Sequence, residues 1–217
     1  MRRFLRNFFL LLLVLLVVLL VAGLAYGLWP RKADLRGFDA DAVARLETAM
    51  WRDYYAHDHQ ALAAKLYALN REQYHFSPAD SARLAYYAGQ AAQLFQPTQS
   101  RAEAQVALPL LVSYFTLMQQ SSSEPFDPAA AARLELDWWQ LRRENSTPPE
   151  YGKVVAQVSE EIFHAKNERI TKAAIQRAVM MGYRDERRDG RMQPDDWALI
   201  EKNLIESYRD LKAGVGR

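Results

Sequence analysis

The chain has 217 residues, no cysteine, and 28 lysines and arginines against 26 aspartates and glutamates. The lack of cysteine excludes disulfides, thiol nucleophiles and thiolate metal sites. Three of the arginines stand in the first seven residues, so the rest of the chain is close to neutral, which argues against nucleic acid as a partner because nucleic-acid binding needs a clustered basic surface.

An apolar stretch dominates the N-terminus, where 22 uncharged residues follow one another from Phe8 to Trp29. A helix of this length rises about 1.5 Å per residue and can cross the roughly 30 Å hydrocarbon core of a bilayer. The alternative is a cleaved signal peptide, whose apolar region usually covers about 7 to 15 residues; here the nearest small-x-small site, 23–25, lies inside the run. We therefore predict a basic leader, 1–7, and a transmembrane helix, 8–29, retained in membrane lipid.

Basic residues flank both ends of this stretch. Three arginines lie within 2–6, and three basic residues lie within 31–36, so the positive-inside rule is nearly balanced. The short leader is easily kept in the cytoplasm, which favours a cytoplasmic N-terminus and a body outside the cytoplasm. Tyr26 and Trp29 fit an aromatic belt at the far interface.

The body follows a linker, 30–38, and is predicted to be a helical domain, 39–213, with a tail at 214–217. No stretch shows a sustained alternation of apolar and polar residues, so the class is all-α. Several helix starts are marked by a capping residue followed by proline. These are Ser77-Pro78, Asp127-Pro128, Thr147-Pro148 and Gln193-Pro194. The sequence predicts one N-terminal transmembrane helix followed by an irregular bundle of about seven helices.

The most apolar part of the body is 106–118, within a helix predicted for Thr98–Gln120. A helix without a polar face is buried by its neighbours, so we expect this one at the centre of the bundle. Pro109 removes a backbone hydrogen bond and is expected to kink it.

A helical repeat array is an alternative architecture. The tripeptides at 54–56 and 86–88 are both Tyr-Tyr-Ala, and their spacing is close to that of tetratricopeptide-type helix pairs. The sequence shows no third copy. Because stable arrays generally need about three repeats, the irregular bundle is favoured.

Glutamates and histidines follow the order found in di-iron and di-manganese carboxylate bundles, in which residues three apart on a helix can bind one metal pair. The set is Glu47, Glu72, His75, Glu135, Glu161 and His164. Helical phase argues against a metal site, because both histidines are offset from the apolar faces of their helices. We predict no cofactor, with a di-iron or di-manganese centre as the alternative.

Two helix faces combine aromatic and charged residues at the spacing of one helical side. One contains Glu47, Trp51, Tyr54, Tyr55 and Asp58, and the other contains Glu135, Trp138 and Arg142, with Trp139 at its edge. Buried charges need partners. We therefore predict a polar network between packed helices, in which the two glutamates accept from Arg142, Arg52 or tyrosine hydroxyls. The alternative is a cleft that binds a ligand.

Three segments carry a resemblance to known proteins: ETAMWRDYY at 47–55, REQY at 71–74 leading into Ser77-Pro78, and ARLELDWW at 132–139. They resemble a group of bacterial proteins with one N-terminal span and a helical extracytoplasmic domain, for which no reaction is assigned. The resemblance implies this architecture and a setting in the bacterial cytoplasmic membrane, with the body periplasmic or extracellular. It implies no catalytic residue.

Two classes of function fit the sequence. The first is a non-catalytic, membrane-anchored accessory or scaffold subunit that docks its helical domain on a larger integral-membrane protein complex. The second is a membrane-tethered di-metal carboxylate enzyme or ligand-binding domain built around Glu47, Glu135 and Glu161. The first is favoured because no catalytic constellation is consistent with the helical phases.

Overall fold

The computed structural model describes residues 2–29, 31–187 and 190–216, and for residues 2–5 it describes the backbone only. Pro30, the first residue of the predicted linker, lies outside the described residues. Within the described ranges the regular structure is helical apart from one bridge between Ala33 and Ser122. The predicted all-α class is confirmed.

Helix α1 runs from Arg2 to Leu28. Among the described helices, its segment Arg6–Leu28 is the one long and apolar enough to cross a membrane, and none of it is buried in the body. Phe8 is 50% and Trp29 is 66% exposed. An exposed apolar helix at this position is consistent with a membrane anchor and with a signal sequence.

The body consists of helices α2 to α10, of which α5 is a single turn. In chain order they are α2 (Ala40–Tyr55), α3 (His59–Ala68), α4 (Pro78–Phe95), α5 (Arg101–Ala104), α6 (Leu108–Ser121), α7 (Pro128–Arg143), α8 (Pro148–Phe163), α9 (Glu168–Glu186) and α10 (Pro194–Val215). Several begin at the caps that the sequence contains. The Ser77 hydroxyl accepts from the Asp80 amide at 3.0 Å, and the Asp127 carboxylate accepts from the Ala129 amide at 2.8 Å.

The eight longer helices of the body form a closed circuit. Helix α2 packs on α3, α3 on α4 and α4 on α6, and the order continues through α7, α8 and α9 to α10, which packs back on α2. Short connections make neighbouring helices antiparallel. Each helix therefore turns one side toward a common interior, and this interior holds the residues described below.

The linker closes the end of the circuit nearest to α1. Leu35 and Phe38 are buried there. Arg36 donates to both carboxylate oxygens of Glu124, at 2.7 and 2.9 Å, and to the carbonyl of Phe163 at the end of α8, at 2.6 Å. The chain that leaves α1 is thus fixed to the body by side-chain and backbone contacts.

The predicted helix Thr98–Gln120 is wrong as a single kinked helix. The chain forms α5, a 3-10 turn over Gln105–Ala107, and then α6. Pro109 lies in the first turn of α6, where its missing amide would have had no helical partner, so it starts a helix instead of bending one. The apolar segment 106–118 is also not enclosed on every side: α6 packs between α4 and α7, Val106 is 49% exposed, and Pro109 is exposed as well.

Helix α3 continues into a π-helical turn, Leu69–Gln73. After it the backbone reverses at His75, whose φ of 60° lies in the left-handed region. Turns of this kind are frequent at functional sites. Here the turn brings Leu69 and Tyr74 to the interior of the circuit, where both line a cavity.

Candidate functional site

A buried ion pair joins α2 to α9. Glu47 is 3% exposed, and its Oε1 accepts from Nε of Arg177 at 2.7 Å and lies 2.5 Å from Nη2 of the same guanidinium. The hydroxyl of Tyr208, on α10, donates to Oε2 of Glu47 at 2.7 Å. The three side chains connect the helices that close the circuit, and they give the buried charges the partners that burial requires.

The electrostatics of this group favour the charged form of Arg177 and the protonated form of the neighbouring tyrosines. Burial opposes the charge on Arg177, but the Glu47 carboxylate outweighs it and holds the pKa of Arg177 above its usual value. Burial, with Glu47 adding to it, raises the pKa of Tyr208 well above its ordinary range and the pKa of Tyr74 to about 12. Both hydroxyls therefore retain their protons at physiological pH.

Glu135, on α7, is a second interior acid. Its Oε1 accepts from the indole Nε1 of Trp139 at 2.9 Å. Burial raises the pKa of the Glu135 carboxyl above its usual value, although the indoles of Trp138 and Trp139 and the charge of Arg177 partly oppose this. Among the described residues Glu135 has no ion pair of its own: the charge of Arg177 acts on it, but Arg177 is paired with Glu47.

Two cavities meet at Glu135. The linker-side cavity has a volume of about 280 Å³ and is bounded by Leu35 and Phe38 of the linker, and the far-side cavity has a volume of about 270 Å³. Glu135, Trp139 and Arg177 line both. The carboxyl is surrounded by protein but keeps accessible surface, because that surface adjoins open space on either side of it.

Aromatic and aliphatic side chains make up most of the walls of both cavities. The linker-side cavity also carries tyrosines, namely Tyr74, Tyr114 and Tyr208, and the far-side cavity is lined by Trp51, Tyr54, Tyr55, Phe95, Trp138, Arg142 and Met181 in addition to the shared residues. Such a chamber, apolar with a few polar groups, has the composition of a small-molecule site.

Arginines close the end of the circuit away from α1. Nε and Nη2 of Arg142 donate to Oδ2 of Asp185 at 3.0 and 2.8 Å, and Nη2 also donates to the hydroxyl of Tyr55 at 2.7 Å. Burial opposes the charge of Arg142, but Tyr55 and Asp185 outweigh it and raise the pKa of the guanidinium. Arg143 lies over the ring of Phe95, 3.6 Å from its centroid.

The structure brings most of the residues singled out from the sequence to one place. Six of them line the far-side cavity: Trp51, Tyr55, Glu135, Trp138, Trp139 and Arg142. Glu47 reaches the same region through Arg177. Arg52 does not belong to the group, because its guanidinium lies 5.3 Å from the ring centroid of Trp197, on α10.

The partners of the two glutamates agree with the expectation in part: Glu47 accepts from a tyrosine hydroxyl as predicted, but its cation is Arg177 and neither Arg142 nor Arg52. Glu47 binds Arg177 and Tyr208, Glu135 binds Trp139, and Arg142 binds Asp185. Sequence reasoning therefore missed Arg177 and Tyr208. Helical phase carried a signal for both, because Arg177 follows Ala173 and precedes Met181 by four residues each on the buried side of α9, and Tyr208 follows buried Leu204 by four on α10.

The six residues of the di-metal alternative are not brought together. Glu47 and Glu135 face the interior, whereas Glu72, His75 and His164 are exposed. Glu161 accepts from the backbone amide of Asp127 at 2.9 Å. In the part of the chain that the structure describes, no group of three or more histidine, aspartate or glutamate side chains could hold a metal ion.

Comparisons with protein-family models, with curated proteins and with solved structures found no significant match to this chain. The resemblance to bacterial single-span proteins therefore stays a prediction, and the function is argued from the site alone.

Proposed function

We propose that this chain is a membrane-anchored binding protein, whose helical body holds a small, mainly apolar molecule with a basic or hydrogen-bond-donating head group. The observation that carries the proposal is the position of Glu135. It is an interior carboxyl that lines two cavities, and Arg177, whose charge acts on it, is already paired with Glu47. A ligand cation would supply the missing partner.

The cavity walls support this class of ligand. Burial of an apolar ligand body against aromatic and aliphatic walls contributes roughly 25 cal/mol for each Å² of apolar surface removed from water. The indole rings of Trp138 and Trp139 direct N–H groups at the carboxyl, which favours its ionised form. A basic group placed at Glu135 would meet both its charge and these rings.

The residues that line the chamber favour binding over catalysis. Neither cavity is lined by a histidine, and the serines that line the linker-side cavity, Ser159 and Ser207, have no base beside them there. Ser207 donates to the carbonyl of Ala173 at 2.8 Å. Glu135 would have to serve as the general base itself, without a second group to orient it.

The anchor is part of the proposal. We infer that residues 8–29 stay in the bacterial cytoplasmic membrane, with the N-terminus cytoplasmic and the domain 39–213 on the other side. Support comes from the exposure of α1 and from Arg36, which ties the linker to Glu124 and Phe163. Cleavage after α1 would leave these contacts in place, so the mass of the mature chain is the measurement that separates anchor from signal.

A titration tests the proposed ligand class. The full chain in lipid nanodiscs is titrated with phenethylamine, phenethyl alcohol and phenylacetate, which share one apolar body, and tryptophan fluorescence reports binding beside Trp138 and Trp139. The amine should bind most tightly and the acid least. Because hydrogen bonds to charged groups contribute about 1.5–3 kcal/mol, Glu135→Gln should weaken amine binding roughly 10- to 100-fold.

The matched control is Glu186→Gln, since the Glu186 side chain is 78% exposed. This variant should bind the amine as the unmodified chain does. Equal affinity for all three probes, or an unchanged affinity for the amine in Glu135→Gln, would overturn the proposed function.

A groove between α3 and α4 favours a second function, that of an accessory or scaffold subunit docked on a larger integral-membrane complex. Helix α3 has no buried residue. Leu62, Leu66 and Tyr86 line the groove, and a Cβ on Gly89 would meet no atom within 4 Å. A partner helix could occupy this space. Loss of a co-purified partner in Tyr86→Glu, with retention in Glu186→Gln, would support docking; an unchanged partner set would contradict it.

A further inference from the structure

A polar cluster lies outside the circuit, where α1 meets the body. Tyr26 stands in the last turns of α1, and Nη2 of Arg71 donates to its hydroxyl at 3.0 Å. The guanidinium of Arg31 lies over the same ring, 4.5 Å from the centroid. Arg71 is positioned by a second hydrogen bond, from Nη1 to the carbonyl of Phe76 at 3.1 Å. The neutral side chain of Tyr26 is therefore in contact with two guanidinium groups.

These two charges lack a carboxylate partner. Arg83, in the second turn of the adjoining helix α4, lies 3.6 Å from the carboxylate of Asp80. Arg31 and Arg71 have no such ion pair with any described residue. Because two neighbouring cations repel each other, a site of this kind is stabilised when an anion lies between them.

The cluster is at the height of the lipid head groups when α1 spans the bilayer. Tyr26 is near the end of the apolar segment Arg6–Leu28, and Trp29 follows it, 66% exposed. Tyrosine and tryptophan concentrate at the membrane–water interface. Since Arg71 is hydrogen-bonded to Tyr26, both guanidinium groups lie at the level where lipid phosphates are found.

We infer that Tyr26, Arg31 and Arg71 form a binding site for the phosphate of an anionic phospholipid. A guanidinium presents five N–H donors in a planar fork that matches a phosphate, and the two contacts of Arg71 use one hydrogen on each of its terminal nitrogens. The remaining donors and those of Arg31 supply the phosphate ligands. The site rests on the proposed membrane anchor, but it is separate from the chamber around Glu135 and does not depend on the ligand proposed there.

Native mass spectrometry of the full chain in mild detergent tests the site. The chain is mixed with equal amounts of phosphatidylglycerol and phosphatidylcholine, and the ratio of the two bound lipids is measured. The unmodified chain should retain phosphatidylglycerol preferentially. A basic residue near the surface contributes about 1 kcal/mol to the attraction of anionic lipid, so Arg31→Gln and Arg71→Gln should each reduce the preference about fivefold.

Two further variants and one competition experiment test whether the lipid preference depends on this site. Arg83→Gln removes a paired arginine from the same end of the body and should leave the preference unchanged. Tyr26→Phe keeps both charges but removes the hydroxyl that holds Arg71, and should reduce the preference by less than either glutamine variant does. Inorganic phosphate at the concentration of the lipid should not displace phosphatidylglycerol.

Two results would overturn the inference. One is an unchanged preference in the double variant Arg31→Gln/Arg71→Gln. The other is displacement of phosphatidylglycerol by an equal concentration of inorganic phosphate, which would assign the site to free phosphate and not to lipid.

Discussion

Arg177 donates through Nε to a carboxylate oxygen of Glu47, 130 positions earlier in the chain, at 2.7 Å. This contact joins α9 to α2 across the interior of the helix circuit. It also pairs Arg177 with one of two interior acids, and Glu135 has no ion pair of its own among the described residues. The proposed binding function and several of the predictions below depend on the fact that Arg177 is paired with Glu47 and not with Glu135.

Breaking the pair should destabilise the body strongly. Arg177→Met leaves the Glu47 carboxylate buried without its cation, and removing one partner of a buried pair typically costs about 3–5 kcal/mol. At roughly 2–4 °C per kcal/mol for a domain of this size, the melting temperature of the full chain in nanodiscs should fall by about 6–20 °C. Adding Glu47→Leu to Arg177→Met should recover part of this loss, because no charge is then left buried. Arg133→Met, at an exposed position, is the control. Its melting temperature should equal that of the unmodified chain.

Tyr208→Phe should lower stability more than Tyr74→Phe. Tyr208 donates to Glu47 at 2.7 Å, and hydrogen bonds to charged groups contribute about 1.5–3 kcal/mol. Tyr74 is buried near the same carboxylate, but its hydroxyl makes no hydrogen bond to any described residue. Parallel thermal melts compare the two variants. Equal losses would contradict this, because they would show that the hydroxyl bonded to Glu47 contributes no more than the Tyr74 hydroxyl.

The raised pKa of Glu135 makes the free energy of unfolding depend on pH. Folding raises this pKa above the ordinary value of 4.5, so the folded state holds the proton more tightly than the unfolded state does. The resulting stabilisation is fully present below the unfolded pKa and is lost as pH rises through the folded pKa. The melting temperature of the unmodified chain minus that of Glu135→Gln should therefore decrease as pH increases from the acid side toward neutrality. Glu186→Gln, measured over the same pH range, is the control variant. A difference that grows with pH for Glu135→Gln would contradict the assigned direction.

Two glycines should respond to alanine in opposite directions. A Cβ on Gly152, in α8, would lie 2.9 Å from Cα of Ile175 and 3.0 Å from Cβ of Ala178, so Gly152→Ala pushes α8 from α9 and should cost about 1–3 kcal/mol. Gly89→Ala, in α4, meets no atom within 4 Å and should stabilise the helix by up to about 1 kcal/mol. Thermal melts of both variants check the signs, and destabilisation by Gly89→Ala would show that the α3–α4 groove is filled.

The helix starts and the all-α class could be predicted because both are local properties of the chain. A capping side chain and its amide are two or three residues apart, as Ser77 and Asp80 show. The closure of α10 on α2 could not be predicted in this way, because a contact between Glu47 and Tyr208 leaves no mark in the spacing of either helix. Pro109 differs from expectation because α6 begins at Leu108, ten residues after the predicted start at Thr98, so the proline lies in a first turn and not in a helix interior.

The candidate site was predicted in part for the same reason. Trp51, Tyr55, Glu135 and Arg142 share helical faces, and these faces line one cavity. The partners of the interior glutamates could not be assigned from the sequence, because any arginine on an apolar face of another helix is a possible donor to them. Arg177 was identified only when the packing of α9 on α8 and α10 was known.

The most direct test of the account is the titration of Glu135 itself. The carboxyl carbon of Glu135 is followed by NMR against pH in the isotopically labelled full chain, with Glu135→Gln used for assignment, first alone and then with phenethylamine. The account predicts a pKa above 4.5 in the free chain and a lower pKa when the amine is bound, because a bound cation favours the ionised carboxylate. A pKa at or below 4.5 in the free chain, or one that the amine leaves unchanged, would contradict it.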